Sequence, residues 1–160
     1  LFINSSVIGP FLIENIDNWV NLFINKLKGD VKLCGCTITK YKRVPYVVNS
    51  YIFAMNKNTL NFLIEKEIFT LTKQPKNHSD AVNRFEFRMT KLIIENNWNI
   101  GCLMKRYQNV DFRVIKRRKP KRVLGKLKFY RKNLVSTHFI KYGVSKNPRF
   151  TLFNPTMIED

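Results

Sequence analysis

The sequence predicts an α/β domain in which helices layer against a mixed sheet. Three observations carry that expectation. Residues 31–38 are strand-like and residues 47–55 form a second, stronger strand pattern. Apolar residues recur at three- and four-residue steps at Trp19, Val20, Phe23 and Leu27, and again at Phe85, Met89, Leu92 and Ile93, which marks packed helix faces. The two kinds of segment alternate over the first hundred residues, a pattern that belongs to layered α/β architectures.

Taken in order, residues 1–4 form a short apolar strand that stops at the polar cluster Asn4-Ser5-Ser6. Residues 7–13 read as a loop containing Gly9-Pro10. Asp17 is placed to cap a helix that carries the stripe Ile16, Trp19, Val20, Phe23 and Leu27 and ends at Gly29. The strand over residues 31–38 and a stronger one over 47–55 follow, then a short helix over 58–65 and a polar loop over 70–80.

The stretch from Arg84 to Leu103 reads as a helix, a tight turn and a strand over residues 100–104. Asn96 and Asn97 suit the left-handed conformation that closes a helix. Glu86 falls early in this helix, near the positive end of its macrodipole, where an ionised carboxylate is favoured. A carboxylate on a packed helix is a platform for a general base. It is also a common incidental feature of globular chains.

Beyond Lys105 the periodicity fades. Residues 114–133 form a basic loop containing the exposed run KRRKPK, residues 135–142 a candidate strand, and residues 147–160 a tail with two prolines. The whole chain, 1–160, is taken as one domain.

Composition narrows the function classes. With 160 residues, 44% hydrophobic and 13% aromatic, the chain has enough apolar material for one real core. No apolar run reaches the roughly 18 residues that span a bilayer, and no signal-peptide pattern opens the chain. Three cysteines, Cys34, Cys36 and Cys102, are too few and odd in number for a disulfide framework, which points to a reducing, cytoplasmic setting. Cys34 and Cys36 fall on one side of a strand and suit small buried hydrophobes better than a zinc site.

The net charge of +18 is uneven. Between Lys105 and Lys132 stand thirteen Lys and Arg against one acid, Asp111, which leaves +6 for the rest. Cations interleave with aromatics there, as in single-strand binders. The aromatic spacing is irregular and no nucleic-acid signature is present, so nucleic acid is not the favoured partner. Peripheral contact with anionic membrane headgroups draws on the same charges.

Two polar groups invite chemistry. Asn4-Ser5-Ser6 ends a strand where open α/β sheets place ligand-binding groups, and it serves equally as a turn held by side-chain to backbone hydrogen bonds. His78 and His138 lie far apart in sequence, and no nucleophile constellation or glycine-rich phosphate loop is present.

The blocks LFINSSVIGPF, VKLCGCTIT, VVNSYIFAMNKNTLNFL and FEFRMTKLIIENNWNIGCLMKRY resemble, in that order, a glycosyltransferase-like family of bacterial polysaccharide loci and large DNA viruses. The likeness covers residues 1–113 and resumes at FTLFNP, residues 150–155. It implies a partial GT-A type, three-layer domain with a mixed sheet, a nucleotide-sugar donor and a glycan acceptor. In that family a strand ends in an Asp-x-Asp motif that holds a divalent cation. The matching end here is Asn4-Ser5-Ser6, whose neutral oxygens hold Mn²⁺ or Mg²⁺ poorly, which puts metal dependence in question.

The residue matching the family's general base is Glu86. Asn49-Ser50-Tyr51 resembles a block lining the acceptor cleft, and Trp98 is placed either to stack on a sugar or to fill the core. The first residue, Leu1, sits in what reads as the end of a buried strand, so the resemblance implies a nucleotide-binding portion before it that the chain lacks. The expected function is transfer of a sugar to a glycan hydroxyl, inactive if the chain is only a fragment. The alternative is a non-catalytic basic module for nucleic acid or an anionic surface.

Overall fold

A computed structural model describes residues 1–5, 7–12, 18–41, 46–115 and 137–141. The order of elements is β1 (Phe2–Ile3), β2 (Val7–Leu12), α1 (Val20–Ile24), β3 (Val31–Gly35), β4 (Ile38–Thr39), β5 (Val47–Val48), β6 (Ile52–Met55), α2 (Lys57–Glu65), α3 (His78–Ala81), a π-helical segment (Val82–Phe87), α4 (Arg88–Glu95), β7 (Asn99–Cys102), a 3₁₀ turn (Lys105–Tyr107) and β8 (Thr137–Lys141). The protein is therefore mixed α/β.

Its main sheet has four strands in the order β1-β6-β3-β7, with β3 and β7 parallel and the other two pairs antiparallel. Two small two-stranded sheets, β2 with β8 and β4 with β5, complete the strands. No helix among the described residues is long and apolar enough to cross a membrane.

The sheet is buried on both faces because its strands send alternate side chains to opposite sides. Cys34, Cys36, Ile52 and Ala54 join Phe23 of α1 in one cluster. Leu33, Phe53, Met55 and Ile100 face the other way and meet Leu63 of α2 with Met89 and Ile93 of α4. Both faces of β6 are filled, so its sequence is apolar at every position and carries no alternation. Each fully buried Leu, Ile or Phe here contributes about 1.5–3 kcal/mol. The three cysteines are free and buried. Burial pushes the Cys102 thiol up to about 12 and raises Cys34 as well, which keeps both neutral.

Strands β3 to β6 form one long hairpin with a broken register. Leu33 pairs Met55, and Gly35 pairs Phe53. Further out, Ile38 pairs Val48 and Thr39 pairs Val47. Two residues on one arm, Cys36 and Thr37, thus face four on the other, Asn49 to Ile52. The break is bridged where Cys36 N donates to Ile52 O (3.2 Å) and Asn49 N donates to Thr37 O (3.1 Å).

An irregularity of this kind bends the strand and re-aims its side chains. It explains why residues 47–55, expected as one strand, divide into β5 and β6. Gly35 is needed at the bend, because a Cβ there would overlap Val48 Cγ1.

Other expectations shift. Of residues 7–13, expected as a loop, Val7–Leu12 form β2, paired with β8, and the register slips between Ile8 and Phe11. That slip accommodates Gly9-Pro10, since proline has no N–H to give the ladder. The strand expected near residues 135–142 is β8.

Helix α1 is shorter than its apolar stripe suggested. Asn18 Oδ1 accepts from Val20 N (3.0 Å) at its start, and Gly29 has φ +57° beyond its end. Asp17 and Ile16 lie outside the described residues, as do Ser6, the KRRKPK run and the 147–160 tail. Helix α2 starts one residue earlier than expected, with Asn56 Oδ1 accepting from Thr59 N (2.9 Å).

The larger correction concerns the helix of Glu86. It begins at His78 inside the stretch read as loop, where Asn77 Oδ1 accepts from Asp80 N (2.9 Å). Glu86 is therefore well past the first turn, beyond the reach of the helix-end dipole, and it sits in the π-helical segment. At the far end Asn97 takes the left-handed conformation (φ 57°) and Trp98 N donates to Ile93 O (3.0 Å), as the sequence suggested.

The close approach at the bend gives a test. Gly35→Ala should lower stability by about 1–3 kcal/mol through overpacking, read as a fall in urea midpoint. The loss should be smaller in a Val48→Ala background, where the overlapping methyl is gone.

Candidate functional site

The broken register gathers polar side chains at the carboxyl end of β3. Asn4 follows β1, and its N–H donates to Tyr51 O (2.9 Å), which fixes the end of β1 beside the start of β6. Asn4 O in turn accepts from Val7 N (3.1 Å), so the Asn4-Ser5 segment is a turn with Ser5 exposed. Asn49 uses both hydrogens of its amide, one on Thr37 Oγ1 (2.6 Å) and one on Thr39 Oγ1 (3.0 Å). Thr37 Oγ1 also shares a hydrogen bond with Tyr51 Oη (2.9 Å). Thr37 is buried, while Thr39, Asn49, Ser50 and Tyr51 are half-buried.

Asn4 and the Asn49-Ser50-Tyr51 block, separate in sequence, thus meet at one sheet end. Thr37 and Thr39 belong to the same cluster, which the sequence alone does not mark. The available signal was the Thr-Ile-Thr alternation opposite Asn49, legible only once the register is known.

The helix that carries Glu86 packs against β5. One turn further on, the buried Thr90 Oγ1 accepts from Val48 N (3.1 Å), the residue before Asn49. That bond docks the helix against the outer edge of β5, because Val48 N points away from β4. Phe87 packs on Tyr41 with ring centroids 4.6 Å apart. Phe85 lines an apolar groove of about 460 Å³ with Ile68, Phe69, Thr70, Leu71 and Pro75. Glu86 is held between these two anchors and is half-buried.

Among the described residues Glu86 makes no hydrogen bond or ion pair, including none to the Asn49 cluster. The other half-buried carboxylates differ: Asp80 pairs with Arg84 (3.0 Å) and Asp111 with Arg113 (2.8 Å). Backbone donation from Lys76 and the Arg84 guanidinium hold the Asp80 carboxyl below its usual range, and Arg113 does the same to Asp111.

Trp98 lies elsewhere. It precedes β7 at the opposite end of the sheet and packs edge-on against Phe62, with centroids 5.0 Å apart. That end is clamped by Arg113, which donates to Asp30 Oδ2 (3.0 Å), Asn97 O (2.9 Å) and Asp111. Asn99 closes the β7 edge, donating to Val110 O (3.0 Å) and accepting from Phe112 N (3.0 Å). Trp98 is half-buried, packs against the core at this clamped end and is not brought to the polar cluster.

The described residues do not fit a divalent cation at the end of β1. The oxygens of Asn4 and Ser5 are neutral, and no group of three or more His, Cys, Asp or Glu among the described residues is placed to hold a metal. The basic run of residues 116–132 lies outside the described residues, so no geometry carries the alternative of a basic binding module. No family model, curated protein or solved structure matches the chain.

Thr90 is the joint between the Glu86 helix and the Asn49 segment. Thr90→Val should cost about 1–3 kcal/mol in chemical denaturation, because Val48 N–H is then buried without an acceptor. Thr90→Ser should retain most of the stability.

Proposed function

We propose that the chain is the acceptor-side portion of a GT-A type glycosyltransferase, with Glu86 as general base toward a glycan hydroxyl. One observation carries the reading. Among the described residues Glu86 is a half-buried carboxylate with no cation partner, while Asp80 and Asp111 are paired. A carboxylate engaged by a guanidinium has its lone pairs occupied, whereas one without such a partner can accept a substrate proton.

The step balances as a displacement. The acceptor hydroxyl gives its proton to Glu86, and its oxygen forms a bond to the anomeric carbon of a nucleotide-sugar. The bond from that carbon to the diphosphate breaks, and the electron pair leaves with the nucleotide diphosphate. The π-helical segment adds support, since such segments recur at functional sites and turn a residue out of the α-helical register. The polar cluster of Asn4, Asn49 and Tyr51, with Ser50 beside it, supplies neutral amide and hydroxyl groups suited to sugar hydroxyls. No step is routed through a metal.

The test is Glu86→Gln in the full-length protein, assayed for sugar transfer from a panel of nucleotide-sugars. Loss of roughly 10²-fold or more in kcat, with an unchanged denaturation midpoint, is expected of a base. Near-normal transfer by the variant removes Glu86 from the mechanism.

A further inference from the structure

We infer that Asn49 Oδ1 and the Thr39 hydroxyl form an acceptor–donor pair that holds two neighbouring hydroxyls of a neutral sugar. The inference rests on the glycosyltransferase reading for the choice of a sugar, and on hydrogen-bond bookkeeping for the rest. Asn49 has two amide hydrogens, and Thr37 Oγ1 (2.6 Å) and Thr39 Oγ1 (3.0 Å) take one each. The amide oxygen is left as an acceptor with no partner among the described residues. Thr39 Oγ1 accepts through one lone pair, which leaves its own O–H to donate. That hydrogen has no partner among the described residues either.

The two groups are adjacent, half-buried and therefore reachable. Their orientation is fixed from below. Thr37 is buried, bonded to Asn49, and braced by Tyr51 Oη at 2.9 Å. Asn49 N donates to Thr37 O (3.1 Å), so backbone and side chain of Asn49 are both set by the same partner. Gly35 lets the arms approach closely enough for this, since a Cβ there would push Val48 away.

An acceptor beside a donor, both immobilised, matches a vicinal diol, in which one hydroxyl donates to the amide and its neighbour accepts from the threonine. The pair is also uncharged. The nearest cation in sequence, Lys40, places its ammonium 5.6 Å from the Tyr46 ring centroid. A neutral polyol suits this pair, and a phosphate would meet the amide oxygen as a repulsive neighbour. The position agrees with the rule that open α/β sheets take ligands outside the carboxyl ends of their strands.

The experiment is an NMR titration of the isotopically labelled full-length protein. The probes are methyl glycosides of the gluco, galacto, manno and rhamno series, the 2-deoxy analogue of the glycoside that binds, and inorganic phosphate. At least one glycoside should move the Asn49 side-chain amide and the Thr39 backbone amide, and phosphate should move neither. Thr39→Val and the 2-deoxy analogue should each weaken that binding about fivefold, the worth of one neutral hydrogen bond. Thr39→Ser should restore it, which a merely structural role for the threonine methyl would not allow.

Three results overturn the inference: no glycoside moves these signals, phosphate moves them instead, or Thr39→Val binds as the parent does. The two proposals fail separately. If glycosides move Asn49 while Glu86→Gln still transfers sugar, the base assignment falls and the subsite stands. If Glu86→Gln abolishes transfer while no glycoside moves Asn49, the subsite falls and the transferase reading stands.

Discussion

The structure depends on the break in register between Gly35–Phe53 and Ile38–Val48. On the sheet side of the break, β3 and β6 belong to the four-stranded core and bury side chains on both faces. On the outer side, β4 and β5 form a separate ribbon. Four residues must fit opposite two, so the segment from Asn49 to Tyr51 leaves the regular ladder, and the Asn49 and Tyr51 side chains find partners within the bend. The polar cluster follows from packing. A hairpin of continuous register would set Thr37 opposite Tyr51 and Thr39 opposite Asn49, and the Asn49 N–H would lose its present partner.

The same break decides how the Glu86 helix docks. Val48 N points outward because Ile38 and Val48 do not exchange backbone hydrogen bonds, and an outward N–H in a buried setting needs an acceptor. Thr90 supplies it. Helix and bend are thereby linked by one buried side-chain bond, and the aromatic contacts of Phe87 and the Phe85 groove hold the turn on either side of Glu86. The other end of the sheet is organised for stability, with Arg113, Asn99 and Trp98 tying β3, α4 and β7 together. The two ends thus differ: polar side chains gather in the bend at one, and side-chain hydrogen bonds close the other.

The elements with strong periodicity were legible. The apolar β3, the face of α4 with Met89 and Ile93, α2 and the Asn97 terminus follow from spacing and capping chemistry. The misread elements share a cause, which is that a distant partner decided the outcome. β2 is a strand because β8 pairs with it, despite Gly9-Pro10. Residues 47–55 divide because β3 and β4 impose different registers. The helix of Glu86 starts at His78 because Asn77 caps it, although the polar residues after it read as loop. For the candidate site, Asn4 and Asn49-Ser50-Tyr51 were legible as polar interruptions of apolar runs. Thr37, Thr39 and Thr90 were not, since a threonine in a strand or helix gains meaning only from its partner across the fold.

The measurement that tests this account most directly is the cross-strand pairing of the hairpin in solution. NOEs between Ile38 and Val48, together with a through-hydrogen-bond coupling from the Asn49 amide to the Thr37 carbonyl, are the predicted result. NOEs joining Ile38 to Ser50, the partner that an unbroken continuation of the Leu33–Met55 register would supply, would contradict it and dissolve the polar cluster on which both functional proposals draw.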